Sequence, residues 1–108
     1  MRVKITIIGA GAVGASTARA LAERGYADIL LVDVVENLPQ GVALDILQCG
    51  PIMGFDSRVT GSNRYEDMEA SDLVLVTAGM PRKPGMSRDD LVRVNADIVR
   101  SVMAPQRW

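Results

Sequence analysis

A short apolar segment runs directly into a glycine-rich turn near the start of the chain, and this junction constrains the fold more than any other feature. Residues 3–8 are Val-Lys-Ile-Thr-Ile-Ile, a composition that predicts a buried strand. Residues 9–14 follow as Gly-Ala-Gly-Ala-Val-Gly, and residues 12–24 are an alanine-rich segment that predicts a helix. Gly25 ends this helix as a left-handed residue. The chain therefore opens with a strand, a glycine turn and a helix.

Strands and helices continue to alternate along the rest of the chain. The further predicted elements are a strand at 29–32, a helix that opens at Pro39 and ends at Gly50–Pro51, a weak strand at 58–60, a helical turn at 66–71, a strand at 73–77, a loop at 79–85, and a helix from a Ser87–Asp90 capping box to Val102. Four strands alternating with helices predict an α/β fold, a truncated Rossmann-type, doubly wound parallel sheet with flanking helices. We expect residues 1–108 to form a single partial domain of this kind.

The carboxyl ends of the strands are where a doubly wound sheet binds its ligands. The residues that follow the four strands are therefore expected to cluster. The predicted strands and their continuations end at Ile8, Val32, Gly61 and Thr77. The glycine turn follows the first of them, so it belongs to this expected cluster.

The glycine turn has the spacing and the context of a dinucleotide-binding site. Gly9 permits a tight turn, Gly11 has no Cβ to block a pyrophosphate, and Gly14 lets the helix pack closely on the strand. The free N–H groups of the first helical turn would face the phosphates. The predicted binding residues are Gly9, Ala10, Gly11, Ala12, Val13 and Gly14. The alternative is a glycine turn that is needed only for packing.

Asp33 follows the second strand, 19 residues after Gly14. A dinucleotide-binding unit carries an acidic residue about 20 residues beyond its glycines, where it bonds a ribose hydroxyl. A carboxylate there would repel the extra phosphate of NADP, and no arginine occurs within the next five residues. These features favour NAD as the cofactor, although Asp33 could also be an ordinary loop aspartate.

The overall composition excludes several classes of function. The net charge of −1 offers no basic field for nucleic acid or anionic lipid, and the apolar stretch at residues 3–15 is shorter than the roughly 20 residues that span a bilayer. We expect no nucleic-acid, membrane or metal partner. The single cysteine, Cys49, suits a reducing compartment. The sequence contains no histidine, so this chain cannot complete a reaction that needs an imidazole.

Arg82 and Arg88 flank the end of the loop that follows the fourth strand. Arginine suits the binding of carboxylates because its planar guanidinium pairs with them bidentately. Loop arginines are more often simply solvated. Arg82 and Arg88 follow the carboxyl end of a strand, where the nicotinamide half of a cofactor would point, and this position favours a functional role over simple solvation.

Several segments taken together resemble the malate dehydrogenases of the lactate/malate dehydrogenase superfamily, from Lys4 to about Val102. The segments are residues 9–14, Asp33, residues 40–45, residues 76–79 and residues 81–91. The last of these is the most specific, because its length and residue order are hard to match by chance. The resemblance implies the N-terminal portion of an enzyme that reversibly oxidises (S)-malate to oxaloacetate with NAD, in the cytoplasm and in the tricarboxylic acid cycle.

The resemblance also implies roles for individual residues. Residues 9–14 and Asp33 would hold the adenosine half of NAD, and Asn95 would contact the same cofactor. Arg82 would meet the second carboxylate of a dicarboxylate substrate, and Arg88 would polarise the reacting carbonyl on a mobile loop. The helix at residues 39–48 resembles one that packs between subunits of homo-oligomers, or it covers one face of the sheet.

Parts of the family's chain have no counterpart in this sequence. They supply a further asparagine, another substrate-binding arginine and an aspartate–histidine pair that moves the proton. Residues 104–108 do not resemble the family's continuation. We therefore expect the catalytic domain to be absent and the 108-residue chain to be inactive alone. Two alternatives stay open: a non-catalytic NAD-binding module or gene remnant, and a dehydrogenase of another 2-hydroxy acid such as lactate.

Overall fold

Four strands in the part of the chain that the structure describes form one parallel sheet. The computed structural model describes residues 3–77 and 84–103. Its strands are β1 (Val3–Ile8), β2 (Ala27–Val32), β3 (Val59–Ser62) and β4 (Leu73–Val76), hydrogen-bonded in the order β3-β2-β1-β4. Ile5 of the central strand β1 pairs with Ile29 on one side and with Leu73 on the other. The predicted Rossmann-type parallel sheet is thereby confirmed.

The helices follow the strands as the alternating pattern predicts. They are α1 (Ala12–Arg24), α2 (Leu38–Gln48), the single turn α3 (Gly50–Met53), a 3₁₀ turn (Tyr65–Met68) and α4 (Arg88–Met103). The predicted second helix ends at Gln48, just before Gly50–Pro51, as expected, but a further helical turn that was not predicted begins at Gly50. Proline is tolerated in the first turn of a helix, where its missing N–H would have no partner.

The core lies between β1, β2 and the two helices that cover them. Ile7 and Leu31 are completely buried at the centre of the sheet. Ala18 and Ala22 pack against them from α1, and Ile46 packs from α2. Alanine lets a helix approach a sheet closely, so the small side chains of α1 suit this packing.

The first turn of helix α2 also packs closely against β3. A Cβ added at Gly61 would overlap the backbone of Pro39 and Gln40, so only glycine permits this approach. The backbone of β3 is thus pressed against the first turn of α2. This contact places the carboxyl end of β3 beside the loop that joins β2 to α2.

The chain divides into two compact units at Thr77, and the second contains α4. Ser87 and Asp90 form the predicted capping box: the Asp90 N–H donates to Ser87 Oγ at 3.1 Å, and the Ser87 N–H donates to Asp90 Oδ2 at 3.2 Å. These bonds satisfy N–H groups that have no partner within the helix. The predicted loop at residues 79–85 lies outside the described residues, apart from Pro84 and Gly85.

Candidate cofactor site

The glycine turn joins the end of β1 to the start of α1. Gly9 has a φ of 108°, which favours glycine, and its N–H donates to the carbonyl oxygen of Val32 at 2.8 Å. Gly11 is the residue before the helix and, having no side chain, supplies no cap. The first turn also contains no acidic residue. The N–H groups and the positive end of the helix dipole are therefore available to an anion.

The second and third glycines have different surroundings. A Cβ added at Gly14 would overlap the carbonyl oxygen of Gly9 and lie 3.0 Å from the Thr77 hydroxyl oxygen. A Cβ added at Gly11 would meet no atom within 4 Å. Gly14 therefore keeps α1 close to β1, while Gly11 faces open space that a ligand could occupy.

Asp33, the first residue after β2, lies beside the glycine turn. Its Oδ2 accepts a hydrogen bond from the Ala10 N–H at 2.8 Å, and its Oδ1 accepts one from the Val35 N–H at 2.9 Å. An ionised carboxylate offers about four acceptor positions, so these two bonds leave capacity for a ligand hydroxyl. The half-buried side chain thus both braces the turn and keeps acceptor capacity for a ligand.

Thr77 supports the same turn from the end of β4. Its N–H donates to the Ile8 carbonyl oxygen at 2.8 Å, and its hydroxyl lies 3.0 Å from that oxygen and 3.2 Å from the carbonyl oxygen of Gly9. The carboxyl ends of β1, β2 and β4 are thereby linked by hydrogen bonds. Sequence reasoning placed Thr77 in this cluster but assigned it no role.

Asn63, the first residue after β3, is a member of the cluster that sequence reasoning did not single out. Its Nδ2 donates to the carbonyl oxygens of Asp33 and Val35, each at 2.8 Å. Its Oδ1 accepts a bond from Gln40 Nε2 at 2.8 Å. The only available signal was its position directly after a strand, among the residues expected to cluster.

The remaining predicted site residues belong to the second unit. Arg88 is the first residue of α4 and is exposed, whereas Asn95 lies in the middle of that helix and is half-buried. Arg82 lies outside the described residues. Within residues 3–77 and 84–103, no group of three acidic or cysteine side chains could hold a metal ion, and no helix is long and apolar enough to cross a membrane.

The site fits the cofactor that the sequence predicts. The unobstructed space at Gly11, the uncapped first turn of α1 and the acceptor capacity of Asp33 suit a pyrophosphate and a ribose. A parallel sheet with these features defines a dinucleotide-binding domain. The chain belongs to the lactate/malate dehydrogenase NAD-binding domain family, whose profile matches residues 3–106. The match confirms NAD as the cofactor of this domain and extends the resemblance beyond Val102.

Relatives of known activity are similar over nearly the whole chain. A malate dehydrogenase of Thermomicrobium roseum is 63% identical over 102 residues, which are 94% of this chain and 33% of the relative. A malate dehydrogenase of a Roseiflexus species is 55% identical over 104 residues, covering 96% of this chain and 34% of the relative. The chain therefore spans about a third of the length of these curated relatives, in agreement with the predicted N-terminal portion.

Solved structures support the same relationship. The apo malate dehydrogenase of Picrophilus torridus matches with a TM-score of 0.91 and 48% identity, over 94% of this chain and 33% of that protein. A Cryptosporidium parvum lactate dehydrogenase, solved with lactic acid and nicotinamide adenine dinucleotide, matches with a TM-score of 0.86 and 40% identity, over 94% and 32% of the two chains. A malate dehydrogenase and a lactate dehydrogenase thus share the fold of this chain.

Proposed function

We propose that this chain is the NAD-binding portion of a malate dehydrogenase, an enzyme that reversibly transfers hydride between (S)-malate and NAD. The observation that carries the proposal is the Asp33 carboxylate, bonded to the Ala10 N–H at 2.8 Å, in a chain 63% identical to a malate dehydrogenase. The bond places a negative charge beside the glycine turn. A carboxylate there suits a free ribose diol and disfavours a phosphorylated one.

The cofactor-binding residues proposed from the sequence have distinct tasks. The N–H groups of the first turn of α1 would bind the pyrophosphate, and Asp33 would accept hydrogen bonds from the ribose. Asn95 would contact the cofactor from α4. The full proposed set is Gly9, Ala10, Gly11, Ala12, Val13, Gly14, Asp33 and Asn95. NAD supplies the hydride acceptor, and these residues bind and orient it.

Arg82 and Arg88 are the proposed substrate-binding residues. The Arg82 guanidinium would bind the second carboxylate of oxaloacetate, and the Arg88 guanidinium would polarise its carbonyl. The resemblance of residues 81–91 supports a dicarboxylate substrate, and the malate dehydrogenase relatives agree with it. Lactate or another 2-hydroxy acid is the second candidate, because lactate dehydrogenases share the fold at 40% identity or below. A non-catalytic NAD-binding module is the third, because the chain contains no histidine.

Residues 1–108 would constitute one partial NAD-binding domain, with the catalytic residues supplied by further sequence. We also propose that the complete protein is a homo-oligomer in the cytoplasm that serves the tricarboxylic acid cycle. Leu44 and Leu47 of α2 are 56% and 40% exposed, and burial against a second subunit would remove these apolar side chains from water. The single cysteine supports a reducing compartment.

Calorimetric titration of the purified chain with NAD and with NADP tests the proposal. NAD should bind, more weakly than it binds a complete dehydrogenase, because part of the sheet and the catalytic domain contribute to a complete site. NADP should bind at least tenfold more weakly than NAD, because its phosphate would meet Asp33. Equal binding of the two nucleotides, or of neither, would contradict the proposed function.

A further inference from the structure

We propose that Asn63 is a positioning residue: it holds Asp33 in the orientation that binds the ribose and thereby sharpens the choice of NAD over NADP. This inference rests on the proposed function, in which Asp33 contacts the ribose. Asn63 itself follows β3 and makes its contacts with the loop between β2 and α2.

The side-chain amide of Asn63 makes three hydrogen bonds around this loop. Both donors of Nδ2 are directed at carbonyl oxygens, those of Asp33 and Val35, at 2.8 Å each. The acceptor Oδ1 takes a hydrogen bond from Gln40 Nε2 at 2.8 Å. One amide group therefore ties the start of the loop, its third residue and the first turn of α2 together.

Packing contributes little to the position of this loop. Val34 and Val35 are 73% and 54% exposed, so their side chains do not anchor the backbone in the core. A loop with few apolar contacts depends on its hydrogen bonds for a fixed conformation. In contrast, α2 is held against β3 by the close approach at Gly61, so Gln40 has a fixed base from which to contact Asn63.

The loop in turn orients the Asp33 carboxylate. Oδ1 of Asp33 accepts from the Val35 N–H, and Oδ2 accepts from the Ala10 N–H of the glycine turn. When Asn63 fixes Val35 through its carbonyl oxygen, it also fixes the N–H that holds Oδ1. The carboxylate, held through both oxygens, then keeps one orientation beside the glycine turn.

A carboxylate held in one orientation should distinguish NAD from NADP better than a mobile carboxylate does. Two ribose hydroxyls gain most from acceptors that are already oriented, because less conformational entropy is lost on binding. A 2′-phosphate suffers most from a carboxylate that cannot turn away. Loss of the Asn63 amide should therefore weaken NAD binding more than NADP binding, although Asn63 makes no contact with either ligand in this proposal.

The experiment compares the purified chain with its Asn63→Ala, Asn63→Asp and Arg64→Ala variants. Asn63→Ala should raise the Kd for NAD about tenfold, through the three lost hydrogen bonds, and change the Kd for NADP less than twofold. Asn63→Asp keeps the shape of the side chain but replaces the donor nitrogen with an oxygen that would face the carbonyl oxygens of Asp33 and Val35. Its effect on the Kd for NAD should therefore be at least as large as that of Asn63→Ala. Arg64→Ala, at the residue after Asn63, removes an exposed 3.7 Å ion pair with Glu66 and should leave both Kd values unchanged.

A double-mutant cycle and hydrogen exchange distinguish the positioning of Asp33 by Asn63 from a general contribution of Asn63 to stability. In an Asp33→Asn background, Asn63→Ala should no longer alter the NAD-to-NADP ratio. Without any ligand, Asn63→Ala should speed amide exchange at Ala10 and Val35 selectively, because both donate to Asp33. The inference is overturned if exchange at these two amides matches the parent chain, or if the variant only lowers the free energy of unfolding with the Kd ratio intact. A parent chain that binds no NAD would refute the proposed function, and hydrogen exchange would still decide whether Asn63 positions Asp33.

Discussion

Asp33 and Ala10, 23 residues apart, are joined by a hydrogen bond of 2.8 Å from the Ala10 N–H to Asp33 Oδ2. The bond links the turn after β1 to the residue after β2. It satisfies a backbone donor in a residue that is only 3% exposed, and it places the carboxylate beside the proposed pyrophosphate site. The same side chain therefore contributes to stability and to the proposed recognition of the cofactor.

Asp33→Ala should lower the free energy of unfolding by about 1–3 kcal/mol, because the buried Ala10 N–H would lose its acceptor. Urea denaturation followed by circular dichroism measures this change. Glu23→Ala is a matched control, since Glu23 is an exposed carboxylate in the last turn of α1. The control should change stability by less than about 0.5 kcal/mol. Equal effects of the two variants would show that the bond to Ala10 contributes nothing.

Asp33→Asn should reduce the preference for NAD. It removes the negative charge and replaces one acceptor atom with a donor, so the ribose loses hydrogen bonds while a 2′-phosphate meets less repulsion. We expect the ratio of the NADP Kd to the NAD Kd to fall about tenfold, measured by calorimetry. An unchanged ratio would mean that another residue sets the cofactor preference.

Gly14→Ala and Gly11→Ala should separate packing from binding within one turn. The methyl group at position 14 would overlap Gly9 O, so Gly14→Ala should lower the free energy of unfolding by about 3 kcal/mol. The methyl group at position 11 meets nothing within 4 Å, so stability should change by less than about 1 kcal/mol. NAD binding should nevertheless weaken in Gly11→Ala, because the methyl group would enter the space proposed for the pyrophosphate.

Denaturation and NAD titration of both variants check this contrast. If Gly14→Ala unfolds like the parent chain, α1 does not depend on the close approach to Gly9. If Gly11→Ala binds NAD as tightly as the parent chain, the open space at Gly11 is not where the cofactor lies.

The sequence predicts the glycine turn and the position of Asp33 because local patterns determine both. A β-branched run, three glycines and an alanine-rich helix specify the turn within about 20 consecutive residues. Contacts distant in sequence were not predictable in this way. Asn63 bonds carbonyls 28 and 30 residues away, and Thr77 bonds carbonyls 68 and 69 residues away. Every residue carries a carbonyl oxygen, so such bonds leave no pattern in the partner's sequence.

Two further features depend on the folded context. The first is the helical turn α3. The pair Gly50–Pro51 is typical of the end of a helix, but proline also suits the first turn of a new helix, and α3 begins there. Ala70 adopts a left-handed conformation that alanine alone disfavours, in the short connection between the 3₁₀ turn and β4. The Ser71 N–H and hydroxyl both donate to the Met68 carbonyl oxygen and close a turn around Ala70, and the pairing of β4 fixes the chain that follows.

The purified 108-residue chain should produce no NADH from malate and NAD, because it has no histidine to accept the hydroxyl proton. The increase in NADH absorbance measures turnover, and a complete malate dehydrogenase added to the same mixture shows that the reagents are active. Measurable NADH formation by the chain alone would contradict the prediction that the proton acceptor lies in further sequence.

Ala70→Gly should stabilise the fold. Ala70 has a φ of 63°, a left-handed conformation that costs an L-residue with a Cβ roughly 1–2 kcal/mol. Glycine avoids this cost but loses more entropy on folding, so the net gain in the free energy of unfolding should be about 0.5–1 kcal/mol. Ala20→Gly, at an exposed position within α1, is the matched control and should lose about 1 kcal/mol. Urea denaturation of both variants should therefore shift in opposite directions, and a shift in the same direction would mean that the left-handed conformation of Ala70 stores no strain.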